Sequence, residues 1–500
     1  MLRIIVGSPR SQIVGDLPPE TDVLLRAALR FRPNDADQMV RARATKLRQA
    51  NPNLTADEAW EKSLSQWDGS FALYSRRAFH TGLLARVRHY LPEAEVIWPE
   101  ANPNPSSHPT LRDYQEEIVA TLSASPDWGI VQAPPRSGKT AIAAADMLSQ
   151  GLYPAVFLIP GAVGITPAKQ LREELGRWVG DEVGWIGDGI HEARKITVMT
   201  SGSAYEALVR QLVIRPISEI RQGRWGKENA TPHHQATANL VAEARYLVVD
   251  ETHMVLSKRD LSVLDAFRST LRRRGLSGTA WIESGWGMAL EARVGGVIAS
   301  IPRQQLVDAG YLVPADVTMV KLPQQLYAGD AWQAVYKSYV VENPLRNELI
   351  ASWCEQQTQA GRTVLVIVSQ LRHGHLLHEM IPNSTEAYGD SRGDVRSEIL
   401  SQMRDRKLPV VISTVMNQAV DVPTLDCVAV ACGGRDSGLL TQRVLRAGTA
   451  YPGKSCCYVL DFLDRAKVMT KAAKDRLLTY TRTDACVARV VDPEEITGQV

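Results

Sequence analysis

From residue 111 onward, unbroken apolar runs alternate with stretches whose apolar positions fall at helical spacing. The runs lie at residues 128–131, 155–159, 195–199 and 246–249. Continuous apolar strands separated by helices predict a parallel sheet. A second block of the same kind begins near residue 319, with runs at 363–368, 410–413, 427–431 and 455–460. The first hundred residues read differently. Short β-like runs at 2–6, 12–14, 71–74 and 95–98 alternate with helical patterns at 21–30, 37–49 and 55–64, which predicts a small α/β domain. Pro99, Pro103, Pro105 and Pro109, with Ser106 and Ser107, mark a linker.

The expected fold class is therefore α/β, with two tandem parallel-sheet lobes behind a small N-terminal α/β domain. The expected boundaries are 1–100, a linker at 101–110, lobes at 111–318 and 319–484, and a loose tail at 485–500. The polar stretch 204–243, with Arg215, Arg221, Arg224 and Lys227, reads as a surface insertion. Trp67-Asp68-Gly69 reads as a turn with Trp67 in the core.

Composition changes this picture little. A chain of 500 residues with 44% hydrophobic and 22% charged residues exceeds one core and is ordinary for a globular protein. Lys+Arg of 57 against Asp+Glu of 55 gives a net charge of +2, which leaves room for a local basic face. Arg41, Arg43, Lys46 and Arg48, and later Arg76, Arg77, Arg86 and Arg88, cluster in the first domain. They read either as a face that meets phosphates or as solvated surface. None of the six cysteines forms a Cys-x-x-Cys pair, so neither zinc nor a disulfide framework is expected. Buried thiols in a reducing cytoplasm, away from any membrane, are the expectation.

Two stretches carry chemistry. Ala133-Pro134-Pro135-Arg136-Ser137-Gly138-Lys139-Thr140 lies between a predicted strand and a predicted helix. Such a loop cradles phosphates on backbone N–H groups and the helix N-terminus. Lys139 reaches the β/γ oxygens and the Thr140 hydroxyl holds Mg²⁺. The strict pattern begins with Gly, where this chain has Ala133. The second stretch is Asp250-Glu251-Thr252-His253, directly after an apolar strand. There Asp250 would hold Mg²⁺ and Glu251 would polarise the attacking water.

In order, the motifs of residues 108 to about 465 resemble a superfamily 2 DNA helicase, which implies two RecA-like lobes with ATP between them. Leu111 to Gln115 resembles the Q motif, where Gln115 would read adenine; 133–140 resembles motif I, and 250–253 is a DExH box. Ser277-Gly278-Thr279-Ala280 resembles motif III, which couples nucleotide state to lobe movement with His253 as partner. Residues 366–370 stand where motif IV lies. Ser413-Thr414 with 419–423 resembles motif V, although Ala419 takes a usual glycine. Gln442-Arg443-Val444-Leu445-Arg446 resembles motif VI.

This resemblance implies catalytic roles for Lys139, Glu251, Gln442 and Arg446. ATP would be held by Gln115, Pro135, Arg136, Ser137, Gly138, Lys139, Thr140, Asp421 and Arg443, and Mg²⁺ by Thr140 and Asp250. Coupling would fall to His253, Ser277 and Thr279. DNA contacts would come from Pro160, Gln170, Thr200, Ser201, Ser369, Gln370 and Thr414.

Motif VI departs from the family, with Leu445 in place of glycine and Thr449 in place of the last arginine. Either Arg446 or Arg443 then supplies charge to the γ-phosphate alone, Arg446 being preferred, or hydrolysis is slow. The N-terminal stretches 13–19, Trp67-Asp68-Gly69 with Tyr74, and 79–84 resemble the leader domain of phage UvsW-like branch-migrating helicases, whose motor is related to the XPB and RecG-type groups. Residues 295–298 and 306–313 also resemble that motor group. The resemblance implies a monomeric DNA-dependent ATPase that remodels branched DNA in recombination, repair or replication restart. RNA unwinding, duplex translocation without strand separation, and an ATP-gated DNA clamp of low turnover are the alternatives.

Overall fold

Short strands with alternating exposed and buried residues open the chain. They are β1 (Arg3–Ile5), β2 (Arg10–Val14), β3 (Arg30–Phe31), β4 (Phe71–Ala72), β5 (Tyr74–Ser75), β6 (Ala78–His80) and β7 (Glu95–Ile97). Five of them form a sheet in the order β5-β6-β2-β1-β7, and β3 and β4 pair as a separate ribbon. Helices Pro19–Ala28, Ala36–Ala50 and Ala56–Gln66 lie near the predicted positions. The last is started by a capping box, with Glu58 N donating to Thr55 Oγ1 at 3.3 Å and Thr55 N to Glu58 Oε2 at 2.9 Å. Trp67 is only half-buried and donates through Nε1 to Ser70 O at 2.6 Å.

This computed structural model describes residues 2–497 except 164, 181, 212, 215–229, 256, 279–284, 325–331, 389–392, 415–421, 434–443, 445 and 467–468. Two compact units emerge, residues 1–133 with 138–300, and residues 134–137 with 301–500.

In the first unit, β8 (Gly129–Gln132), β9 (Ala155–Ile159), β10 (Gly184–Gly187), β11 (Ile190–Glu192), β12 (Ile196–Thr200), β13 (Tyr246–Val249), β14 (Arg272–Ser277) and β15 (Gly296–Ser300) form an eight-stranded sheet. Its order is β11-β10-β12-β9-β13-β14-β8-β15, and every pairing is parallel except β10 with β11. Residues 201–243 are not simply a surface insertion. Helices Ser201–Arg210 and Pro232–Glu243 bury Ala204, Leu208, Ala238 and Val241 in the core of this sheet. Their polar faces hid them, although Thr200 and Thr231 start them as N-caps. Arg215, Arg221, Arg224 and Lys227 lie outside the described residues.

The second unit holds β16 (Ala315–Lys321), β17 (Val364–Ile367), β18 (Ser384–Ala387), β19 (Val410–Ser413), β20 (Cys427–Val430), β21 (Cys457–Leu463) and β22 (Cys486–Val491). They form an all-parallel sheet in the order β18-β19-β17-β20-β21-β16-β22. The loose tail expected over 485–500 instead begins with the edge strand β22 and continues into helix Glu494–Thr497. Val487 and Val490 stay 67% and 44% exposed, while pairing with β16, far away in sequence, and packing of Cys486, Ala488 and Val491 against the core hold the strand. A buried network of Arg346, Arg476, Asp461 and Asp464 ties helices Pro344–Gln359 and Thr470–Arg482 to the end of β21. Four cysteines are buried, while Cys456 and Cys486 are partly exposed.

The N-terminal domain is docked on the first sheet's unit through helix Gly287–Val294. That helix gives Met288 and Ala292 to the N-terminal core, and Ala289, Leu290 and Val294 to the core of the eight-stranded sheet. Arg86 grips Glu291 with two bonds, Nε to Oε1 at 2.7 Å and Nη2 to Oε2 at 2.8 Å. Phe31, Phe71 and Trp286 form an aromatic cluster, and Trp286 Nε1 donates to Asp35 at 3.2 Å.

His80 is buried at this junction, 3.7 Å from Asp265. Burial, then the Arg293 charge, hold its pKa down to about 4. The unfolded chain, with a histidine pKa of about 6.5, binds the proton more readily. This contribution is therefore complete above pH 6.5 and lost as the pH falls toward 4, by roughly 3 kcal/mol in all. Urea unfolding at pH 7.5 and pH 5 should show a stability loss that His80→Gln reduces; an unchanged pH slope in the variant would refute the assignment.

Candidate nucleotide and nucleic-acid site

In a parallel sheet every strand ends on the same edge, and the loops there are where ligands bind. On that edge of the first sheet stand the residues that follow β8, β9, β12, β13 and β14. After β8 comes the phosphate loop. Ala133, at the place of the usual glycine, is fully buried, and its N–H donates to Ser277 O at 2.9 Å, extending the β8–β14 ladder by one residue. Arg136 and Gly138 take left-handed backbone angles, φ 72° and 73°. The left-handed angle favours glycine at 138, and a Cβ there would also displace the Gln115 amide, 2.4 Å away. Gly138 starts helix Lys139–Gln150, which points its free N–H groups at the loop. Lys139 Nζ donates to Ala133 O at 3.2 Å, and Ser137 is buried. Gln115 is buried too, accepting from Arg112 N at 3.0 Å. Pro135 and Thr140 are partly exposed.

Directly after β13, Asp250 N donates to Leu158 O at 3.1 Å, and Glu251 N donates to the Asp250 carboxylate at 2.9 Å. Glu251 adopts φ 42°, a left-handed angle that costs a non-glycine residue about 1 kcal/mol or more and recurs at functional turns. Burial, then the Glu251 charge, push the Asp250 carboxyl up to about 7, against the pull of Lys139 and the Glu251 N–H. Among the described residues Glu251 Oε2 is buried and accepts no hydrogen bond, with His253 Nδ1 3.4 Å away. Two adjacent carboxylates in this state fit a divalent cation and its water.

Between the phosphate loop and the DExH turn lies β14, and its last residue touches both. Besides accepting from Ala133, Ser277 bonds His253 Nδ1 through its hydroxyl at 3.0 Å. Thr252 Oγ1 donates to Val249 O at 2.9 Å and to Leu276 O at 3.1 Å, locking the turn to β14. The bond to Ala133 and the role of β14 had no sequence signal, because Arg272-Arg273-Arg274 does not read as a buried strand. Arg274 is satisfied far from its neighbours, by Asp146 at 2.8 Å, Asp127 O at 2.6 Å and Leu122 O at 2.9 Å.

The remaining predicted positions divide. Pro160 follows β9, and Gly161 N beside it donates to Ser201 Oγ at 2.9 Å. Ser201 is 3% exposed and also bonds Asp260, so its hydroxyl fixes the loop instead of facing solvent. Thr200 caps the helix that follows β12, while Gln170 is exposed. In the second unit Ser369 and Gln370 stand exposed beyond β17, and Thr414 follows β19. Thr279, Asp421, Gln442 and Arg443 lie outside the described residues, as does the Arg446 side chain. Thr449 pairs through its backbone with Leu312. Of the basic cluster, Arg86 is held by Glu291 and Arg88 lies 3.9 Å from Asp127. Arg41, Arg43, Lys46, Arg48, Arg76 and Arg77 are exposed.

Two parallel sheets, the first carrying the loop after β8 and the Asp250-Glu251-Thr252-His253 turn after β13 on either side of β14, are the arrangement expected from the resemblance to superfamily 2 helicases. No family model matches the chain. Over 241 residues it is 23% identical to the putative mitochondrial ATP-dependent helicase irc3 of Schizosaccharomyces pombe, spanning 44% of this chain and 38% of that protein. To the ATP-dependent DNA helicase uvsW of Enterobacteria phage T4 it is 21% identical over 238 residues, 45% of this chain and 47% of the phage protein. The chain thus spans less than half the length of these curated relatives. A fragment of a putative HsdR subunit of a type I restriction enzyme from Vibrio vulnificus shares the fold, with a TM-score of 0.53 at 15% identity, over 78% of this chain and 70% of that one. The chain is similar, over less than half its length, to proteins described as helicases, uvsW among them.

Proposed function

We infer that the chain is an ATP-dependent helicase or translocase acting on DNA, and that its substrate is branched or forked. The observation that carries this is the single sheet edge on which the phosphate loop, the DExH turn and the strand-end loops at 160 and 200 converge. Helicase relatives matched over 238–241 residues support the motor reading, and the resemblance of the N-terminal stretches to a leader domain favours a branched substrate.

ATP would lie along the phosphate loop, its charge met by Lys139 and the N-terminus of helix Lys139–Gln150. Thr140 and Asp250 would hold Mg²⁺, which neutralises charge on the phosphates. Glu251, whose Oε2 is buried and accepts no hydrogen bond from the described residues, would orient a water and accept its proton. Ser277, bonded to His253 and to the loop, would carry the state of the site into β14. Arg446 would supply positive charge from the second lobe. Exposed Gln170, Ser369 and Gln370 would touch the phosphate backbone without reading sequence.

Hydrolysis should be measured with single-stranded DNA, linear duplex, a four-way junction, a model fork and single-stranded RNA in one buffer. Strongest stimulation by the junction or fork is expected. Stimulation by RNA alone would overturn the DNA assignment, and no stimulation by any nucleic acid would leave a low-turnover clamp, consistent with Thr449 at the last arginine of motif VI.

A further inference from the structure

The N-terminal domain touches the nucleotide-binding lobe at places that share one destination. Arg86 and the aromatic cluster hold helix Gly287–Val294. Val294 of that helix packs on β14 at Gly275, where a Cβ would lie 2.9 Å from Val294 Cγ1 and 2.8 Å from Thr252 Oγ1. Helix, β14 and DExH turn are therefore in van der Waals contact at one residue. A second attachment enters the same strand four residues before Ser277. Arg273, fully buried, receives Ser8 of the N-terminal domain, donating from Nη2 to Ser8 Oγ at 3.0 Å. Its guanidinium also binds Phe267 O at 2.6 Å, Leu264 O at 3.0 Å and Arg293 O at 3.1 Å, the last on the docking helix itself. Ser8 in turn donates to Phe267 O at 2.7 Å.

We propose that Glu291 and Trp286 are positioning residues for ATP hydrolysis: through helix Gly287–Val294 and β14 they let the N-terminal domain set the DExH turn. Packed interiors move as units, so a shift of the docked domain displaces β14, and β14 ends on Ser277, which holds both His253 and the phosphate loop. Nucleic acid on the N-terminal domain then favours the arrangement of Thr252 and Glu251 that hydrolyses ATP. Static docking would instead tether the domain and leave the catalytic rate to the motor alone. Contact along a path is not coupling, so kinetics must decide.

This rests on the proposed nucleic-acid-stimulated ATPase. The test compares the wild-type chain, Glu291→Gln and Trp286→Leu with and without the best nucleic acid. Glu291→Gln keeps the shape of the pair and removes its charge. Trp286→Leu keeps an apolar side chain in the cluster and removes the bond to Asp35. Both should leave the unstimulated kcat and the KM for ATP unchanged and lower the stimulated kcat at saturating nucleic acid, by about fivefold or more. The exchange Arg86→Glu with Glu291→Arg should restore stimulation. Full stimulation in both single variants, alongside a stimulated wild type, overturns the coupling. So does a loss that saturating nucleic acid repairs, since that reports grip alone. A wild type that no nucleic acid stimulates fails the functional reading itself and takes the coupling with it. Melting curves exclude unfolding as the cause, and if one variant does not fold the other carries the test.

Discussion

Lys139→Ala should lower ATP hydrolysis by about 10²–10³-fold or more while leaving nucleic-acid binding largely intact. In the proposed site the ammonium group would reach the β/γ oxygens, and Nζ sits 3.2 Å from Ala133 O, at the loop's first residue. Alanine keeps the helix, because position 139 starts a segment in which alanine is the best helix former. The exposed positions expected to meet phosphate backbone, Gln170, Ser369 and Gln370, are separate in the chain from Lys139. Filter binding should therefore change little while phosphate release collapses. Retained nucleic-acid-stimulated turnover in the variant would show that the loop is not the hydrolytic site.

The largest stability effect is expected beneath that loop. Arg274 and Asp146 form an ion pair at 2.8 Å with both side chains fully buried, and Tyr246 shares the carboxylate. Removing one partner of such a pair leaves a buried charge uncompensated, so Asp146→Ala should cost about 3–5 kcal/mol. The pair links the phosphate-loop helix to β13 and β14, and Arg274 also caps helix Asp113–Ala124 at Leu122 O. Denaturant unfolding of Asp146→Ala, Arg274→Met and the double variant would measure the coupling. Near-additive losses in the double variant would show that the pair contributes no stability of its own.

Elements buried on both faces were the ones the chain spelled out. β9, β13 and β19 coincide with their apolar runs, since no polar residue interrupts them. The phosphate loop and the DExH turn were readable because each is contiguous and sits at a strand end. β14 was not, for the opposite reason. Its three arginines are solvated by carbonyls and by Asp146, partners that only the fold assembles. The meeting of His253 with Ser277 followed from family resemblance, whereas the Ala133–Ser277 bond depends on β8 and β14 being neighbours, which no local pattern encodes. Helices Ser201–Arg210 and Pro232–Glu243 were read as an insertion because polar residues outnumber the few that reach the core. β22 escaped because its inward residues, Cys486 and Ala488, are only half-buried and Val487 and Val490 stay exposed. The basic cluster could be counted but not assigned, because charge alone does not show that Arg86 is already engaged by Glu291.

The shared helix also bears on how such a chain changes over time. Met288 and Ala292 complete the hydrophobic interior of the N-terminal domain from a position nearly two hundred residues away, while their neighbours Ala289 and Leu290 complete the motor's. An N-terminal domain transplanted from a relative would meet a foreign helix, and a transplanted motor would arrive without its fitting surface. Residues 1–100 and helix Gly287–Val294 must therefore be inherited and exchanged together, as one discontinuous segment, for a chimaera to fold.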